Sequence, residues 1–262
     1  MLLRIRVSLI LAAVVLSHVA CSTEQPPTCT GQTVKLVNED VLTFGTDFAY
    51  PPFAFDHPDT GKPSGFEVEL AGAIARQLGL RILLVNRNAA ALIPGLLANR
   101  HDLAGSALVD GPRLRSEVCV TRPYLDANLA LMARAGDPPS VAGTGDLEGR
   151  AIGVVRGGRS EAWARRSLPP TARVVRVEAP EDLVAALRSK QVDGVIDDEP
   201  LLRYQQVRAD DVTVVATIET DQHYVLAAGP DNRGLVDAVN EALRRLRADG
   251  TLAALRGRWF GR

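Results

Sequence analysis

At 262 residues, 46% of them hydrophobic, the chain is long enough to bury one large core or two modest ones. A formal net charge of −1 leaves no global field, which excludes capture of nucleic acid or of an anionic membrane surface by bulk charge. Lysine occurs only at Lys35, Lys62 and Lys190, so arginine carries nearly all the positive charge.

The chain opens with Arg4 and Arg6, an apolar run from Val7 to Leu16, and then Ser17-His18-Val19-Ala20-Cys21. A short basic segment, an apolar stretch of about ten residues and a small residue before the break make a secretory signal peptide over 1–20. The run is too short to span a bilayer, which takes roughly 20 apolar residues. Ala20-Cys21 resembles a bacterial lipobox, in which the cysteine becomes the lipidated first residue, although His18 stands where that pattern has an aliphatic. The alternative is an ordinary cleaved leader with an incidental cysteine. The polar stretch that follows reads as a flexible tether, so that 21–33 forms a lipid-anchored spacer. Cys29 and Cys119 are an even pair in an exported chain, either bridged or two free thiols. Neither has His or Cys neighbours at metal-ligand spacing, and no metal site is expected.

From residue 34 onward short apolar runs alternate with segments of 3.6-residue period. Val41–Gly45 reads as a strand, and a turn-rich loop containing Tyr50-Pro51-Pro52 follows. A helix carries Phe66, Leu70, Ile74 and Leu78 and stops at Gly79. Strand 81–85, helix 90–99 and strand 102–108 come next. The pattern then restarts with strand 151–155, Gly157-Gly158 opening onto helix 160–166, strand 174–177, helix 180–188 and strand 192–196. The chain ends in two helices, the second with Thr251 as its expected cap. This alternation predicts an α/β protein of two lobes, each a parallel or mixed sheet with flanking helices. Two extended segments, 128–133 and 224–228, are placed to cross between them. Lobe 1 is then discontinuous, 34–130 plus 226–262, wrapped around lobe 2 at 131–225. Two lobes on a two-strand hinge suit ligand capture by closure.

Eight stretches in order carry a resemblance to a known family. They are Gly45-Thr46-Asp47-Phe48-Ala49-Tyr50-Pro51-Pro52-Phe53, Gly65-Phe66-Glu67-Val68-Glu69-Leu70-Ala71, Leu92-Ile93-Pro94-Gly95-Leu96, and Asp102 before a short strand. Arg113 followed by Tyr124, Leu147–Val154, Val192–Asp198, and Ala248-Asp249-Gly250-Thr251 with Arg258-Trp259-Phe260-Gly261 complete the set. Together they resemble the family 3 extracellular solute-binding proteins of amino-acid ABC importers, across residues 40–261. The resemblance implies the type II periplasmic-binding-protein fold. It implies a receptor in the cell envelope, lipid-anchored on the outer face of the cytoplasmic membrane, that delivers a small polar solute to a membrane permease. The solute class is an amino acid of the glutamine, glutamate or basic type. No cofactor, no nucleic acid and a monomeric state are expected with it.

The resemblance also implies a site. Arg113 holds the clamp position for the ligand carboxylate, which a planar guanidinium can grip bidentately; Arg115 is the rival. Asp198, at the carboxyl end of its strand, holds the position that takes the ligand ammonium; Asp197 or a plain helix cap is the alternative there. Asp47 and Tyr50 face and cover the ligand side chain, unless Asp47 merely caps its loop, while Phe53 packs in the core. Gly105 and Ser106 from one lobe, and Gly157 and Gly158 at a helix N-terminus of the other, supply groups for the carboxylate. The chain departs from the family's pattern at Ala89, where a sandwiching aromatic is usual, at Leu108, where a hydroxyl is usual, and at Arg159, which puts a cation near the cleft. Arg159 favours an acidic ligand, whereas Asp47 favours a cation or amide. Two other functions use the same scaffold: a solute sensor reporting to a membrane partner, and a dehydratase-like enzyme. For the latter the candidate acids and bases are Glu161, His223 and Glu199, none in a catalytic motif, so the chain is read as a non-enzyme.

Overall fold

The computed structural model describes residues 29–136 and 141–261, so the leader, Cys21 and the first part of the tether lie outside the described residues. Apolar runs without alternation become the inner strands, because a strand covered by helices on both faces is apolar on both. β1 (Val41–Thr46) is such a strand, with Leu42 and Phe44 fully buried. A small meander follows, β2 (Ala49–Tyr50), β3 (Ala54–Asp56) and β4 (Pro63–Ser64), and leads into α1 (Phe66–Gln77). β5 (Arg81–Asn86), α2 (Ala89–Leu97), β6 (Leu103–Ala104), α3 (Pro112–Glu117) and β7 (Cys119–Val120) complete the first pass.

The chain then leaves through β8 (Leu125–Asp126) and enters the second lobe on β9 (Leu129–Arg134). There β10 (Ala151–Val155), α4 (Arg159–Ser167), β11 (Arg173–Val177), α5 (Pro180–Arg188), β12 (Gly194–Asp198), α6 (Glu199–Arg208) and β13 (Val212–Ile218) follow in order. It returns through β14 (His223–Tyr224) to β15 (Ala227–Ala228), α7 (Arg233–Ala248) and α8 (Thr251–Phe260). The two sheets are β5-β1-β6-β15-β7 and β11-β10-β12-β9-β13. In each the helix-linked strands are parallel, and the strands contributed by the crossings, β15 and β9, run antiparallel. The two crossings pair with each other as β8 and β14, His223 opposite Asp126 and Tyr224 opposite Leu125.

One device starts both sheets. Asp102 donates its N–H to the Thr43 carbonyl at 2.9 Å and accepts the Thr43 N–H on Oδ2 at 2.7 Å. Asp193 does the same in the second lobe, with Ala151 as its partner at 2.7 and 2.8 Å. A carboxylate just before the third strand thereby satisfies a backbone donor of the first strand, which burial would otherwise leave costly.

Several expectations are corrected in detail. Strand 102–108 shortens to β6, because Ala107 takes a left-handed φ of 48° and the backbone turns out of the sheet. β9 pairs in the second sheet from residue 129, so 129 and 130 belong with that sheet. Thr251 is the first helical residue of α8 behind Gly250, and its N–H bonds Asp249 Oδ1 at 2.9 Å. Residues 29–33 of the expected tether are bound to the body instead: Thr30 donates to the Pro230 carbonyl at 2.9 Å and accepts from Arg233 at 2.9 Å, and Gly234 donates to Gly31 at 2.8 Å. A disulfide joins Cys29 to Cys119 on β7, with Cα atoms 5.2 Å apart.

Candidate ligand-binding site

The carboxyl end of β12 brings Asp198 to the junction of the lobes, because a parallel strand delivers its last side chain to the edge where its crossover helix begins. Arg159, the first residue of α4, reaches it from the neighbouring β10 crossover, Nη1 donating to Asp198 Oδ1 at 2.5 Å. Tyr50, from β2 of the other lobe, brings its hydroxyl to 3.4 Å from Asp198 Oδ2. Tyr50 is held there by stacking on the buried Phe53, with centroids 5.6 Å apart and planes 9° apart.

The remaining partners of Arg159 come from the hinge. Nη1 also donates to the Tyr224 hydroxyl at 3.2 Å, and Nη2 to the Ala127 carbonyl and to Gln222 Oε1, the latter at 2.9 Å. The guanidinium carbon lies 5.8 Å from the Tyr224 ring centroid, within cation–π range. One arginine thus ties the second lobe to both crossing strands. Beneath it, Asp197 is buried and accepts from the Ser160 hydroxyl at 3.5 Å.

Burial dominates the electrostatics here. It pushes the Asp197 carboxyl up to about 7, and the charge of Asp198 beside it pushes the same way. Asp198 is also raised by burial, with the Arg159 charge the leading opposing influence. Tyr50 and Tyr224 are driven above the ordinary phenol range, by burial first and by Asp198 second.

A second cluster lies under the Gly105–Ala107 loop. Gly105 is close-packed: a Cβ there would meet Phe44 Cζ at 2.8 Å and Leu226 Cδ2 at 2.9 Å. Glu67, fully buried on α1, accepts the Ala107 N–H on Oε1 at 2.9 Å and also the Tyr124 hydroxyl. Its Oε2 has no hydrogen-bond partner among the described residues. Burial lifts the Glu67 carboxyl from an ordinary 4.5 to about 7, against the two hydrogen bonds. Tyr124 stacks on Tyr224 at 6.3 Å and 21°, which connects this cluster to the Asp198 network.

Arg113, on α3, has a side chain 95% exposed, with Glu117 Oε1 3.8 Å away. Its rival Arg115 is engaged bidentately by Asp110, both contacts at 2.7 Å. Asp47 accepts from Ala49 N at 3.0 Å and from Ala89 N, at the start of α2, at 2.9 Å. Ser106 is half-buried beside Gly105. Gly157 adopts a left-handed φ of 71° and donates its N–H to Glu161 Oε2 at 2.7 Å, while Gly158 caps α4. The candidate acids and bases are held by their neighbours: Glu161 by Arg176 and Arg165, Glu199 by Arg203 and Thr217, and His223 by Asp126 at 3.1 Å. Arg176 and the Gly157 N–H hold Glu161 down at about 2. Among the described residues no group of His, Cys, Asp and Glu is placed to hold a metal.

Sequence reasoning passed over Glu67, Tyr124, Gln222 and Tyr224 as site residues. Glu67 did leave a signal, since it shares the buried helical face of Leu70, Ala71 and Ile74, where a carboxylate is out of place unless something answers it.

Two α/β lobes on paired crossing strands, with polar groups gathered where they meet, define a hinge-closing binding protein. The chain belongs to the bacterial extracellular solute-binding proteins, family 3, which it matches over residues 42–262. It is 28% identical over 232 residues to the L-cystine-binding protein TcyJ of Escherichia coli K12, covering 87% of this chain and 85% of the relative. It is 25% identical over 224 residues to ABC transporter arginine-binding protein 1 of the same organism, covering 84% and 90%. Among solved structures it is similar to an ancestral cationic amino acid solute-binding protein at a TM-score of 0.77 and 26% identity, covering 86% of this chain and 97% of that one. Its family is extracellular, which makes it an exported protein, and among the described residues no helix is long and apolar enough to cross a membrane.

Proposed function

We propose that the protein is the receptor of an ABC importer and captures one amino acid between its lobes. The observation that carries this reading is the junction of Asp198 with Tyr50 across the two lobes, set directly on the hinge residues Ala127, Gln222 and Tyr224. A ligand ammonium at Asp198 therefore acts on the groups whose movement closes the cleft. Related proteins that bind cystine and arginine support an amino acid as the cargo. The lobes divide near residues 128 and 225, at the crossings. A non-enzymatic role fits the full engagement of Glu161, Glu199 and His223 by structural partners.

In this reading Arg113 is the carboxylate clamp, and its exposure leaves the guanidinium available for a ligand. Arg113→Ala is expected to weaken amino-acid binding about a hundredfold, since truncating one partner of a guanidinium–carboxylate pair that closure of the lobes encloses costs ~2–5 kcal/mol. The measurement is a thermal-shift screen of the twenty amino acids, followed by calorimetric affinities. A bound ligand raises apparent stability by RT ln(1 + [L]/Kd), about 4 kcal/mol at a thousandfold excess. Unchanged affinity in Arg113→Ala would remove the clamp from this residue, and silence across the amino acids would remove the receptor reading itself.

The lipid anchor is part of the same proposal. The motif ending in Ala20-Cys21 supports it, and Cys21→Ser is expected to move the protein from the membrane to the soluble envelope fraction. Retention of the variant in the membrane fraction would mean that Cys21 carries no anchoring lipid.

A further inference from the structure

Asp198 is not free to receive a ligand cation in the simple way its position suggests. Its Oδ1 already holds Arg159 at 2.5 Å, and that arginine's side chain is itself only 27% exposed. Arg159 is a fixed part of the junction, held by the Ala127 carbonyl, Gln222 and the Tyr224 ring as well as by Asp198.

The neighbouring carboxylates leave the charge of Arg159 uncompensated once a ligand ammonium arrives. Asp197 is buried beside Asp198 and faces the Ser160 hydroxyl, and burial holds it toward its neutral form. Asp47 directs one oxygen at Ala49 N and the other at the first N–H of α2, so its charge is answered by that helix terminus. Whether the ammonium shares Asp198 or displaces the guanidinium, two cations then face one carboxylate.

We propose that Arg159 is the specificity-determining residue of this cleft and selects ligands that carry a second anionic group, so that the preferred cargo is an acidic amino acid. This rests on the reading of Arg113 and Asp198 as partners of the ligand carboxylate and ammonium. Two arginines and one aspartate are matched by two carboxylates and one ammonium, the charge set of glutamate or aspartate. A neutral amino acid leaves one guanidinium unanswered, and a basic one adds a third cation to the cluster.

The test is calorimetric titration of the exported protein with L-glutamate, L-aspartate, L-glutamine, L-arginine and L-cystine, repeated with Arg159→Gln and Arg159→Lys. The native protein is expected to bind glutamate at least tenfold more tightly than glutamine. Arg159→Gln should abolish or reverse that ratio while still binding an amino acid, and Arg159→Lys, which keeps the charge, should retain most of it. A native preference for glutamine, arginine or cystine overturns the proposal and leaves the receptor reading standing. So does a glutamate-to-glutamine ratio that Arg159→Gln does not change. If Arg159→Gln does not fold, the uncharged Arg159→Met takes its place, and an unchanged glutamate-to-glutamine ratio in that folded variant overturns the proposal. Failure of every amino acid to bind the native protein overturns both readings together.

Discussion

Replacing Cys29 and Cys119 together by serine is expected to lower the unfolding free energy by about 4 kcal/mol. The bridge spans 90 positions of sequence, and closing a loop of that size restricts the unfolded chain by about 4–5 kcal/mol in the entropic limit, with ~2–4 more usual. The local contacts of the same segment survive the substitution. Thr30 and Gly31 keep their backbone bonds to 230–234, Lys35 keeps its ion pair with Asp231, and Asn232 keeps both bonds to the Lys35 backbone. The fold should therefore persist with a lower guanidinium midpoint, and reductant should reproduce the effect in the native protein. β7 is an edge strand of the first sheet, paired with β15 and with two strands between it and β1, after which the Tyr50 segment begins, so ligand affinity should not move. A midpoint unchanged in both the variant and the reduced native protein would show that the backbone contacts alone anchor residues 29–37.

That segment also marks a limit of sequence reading. Its first five residues, Cys29-Thr30-Gly31-Gln32-Thr33, have the small and polar composition of a spacer, and nothing in them is apolar enough to announce docking. What fastens it is backbone pairing with 230–234, whose partners lie about two hundred residues away, and side-chain pattern carries no record of such bonds. The inner strands were legible for the opposite reason: β1, β10 and β12 bury apolar runs between helices, and that burial is written in the residues themselves. β13 was passed over although Val212–Ile218 is rich in β-branched residues. It follows α6 where the alternating pattern had already closed, and an irregularity between Val214 and Ala216 breaks its period.

At the site, residue identity was legible and pairing was not. Asp198 and Arg159 could be placed near one another by topology, since both stand at the carboxyl ends of neighbouring parallel strands. Their ion pair could not be read, because the guanidinium is aimed by the Ala127 carbonyl, Gln222 and Tyr224, which belong to the hinge. The conflict between Asp47 and Arg159 over ligand charge arose from treating both as free. The backbone donors on Asp47 and the carboxylate on Arg159 show how each charge is already directed.

The stability of the protein should fall as pH rises from about 4.5 to 7, and Glu67→Gln should remove a large part of that dependence. Glu67 is fully buried on α1 with one oxygen on Ala107 N and Tyr124 and the other unpartnered, an environment that tolerates the neutral acid better than the anion. Its carboxyl stands at about 7 in the fold against 4.5 in the ordinary chain. Below pH 4.5 both states hold the proton, and burial carries no ionic penalty. Between 4.5 and 7 the unfolded chain releases the proton while the folded one keeps it, so stability declines with pH and levels off above 7. A shift of this size corresponds to about 3 kcal/mol at ~1.4 kcal/mol per pH unit. Asp197, also lifted to about 7, slopes the same way, whereas His101, which burial holds neutral, slopes oppositely below its ordinary value of 6.5. Glu161 and Glu241, held down at about 2 by their arginines, act below this window. The comparison that isolates Glu67 is the change in urea stability between pH 5 and pH 8 in the native protein and in Glu67→Gln. Glutamine keeps the acceptor for Ala107 and Tyr124, and whatever its amide costs in place of Oε2 is the same at both pH values. The native protein should lose about 2.5 kcal/mol more than the variant across that interval, because part of the decline already lies below pH 5. Equal losses would mean that Glu67 is ionised in the fold at pH 5, answered by a donor that the Tyr124 and Ala107 contacts do not account for.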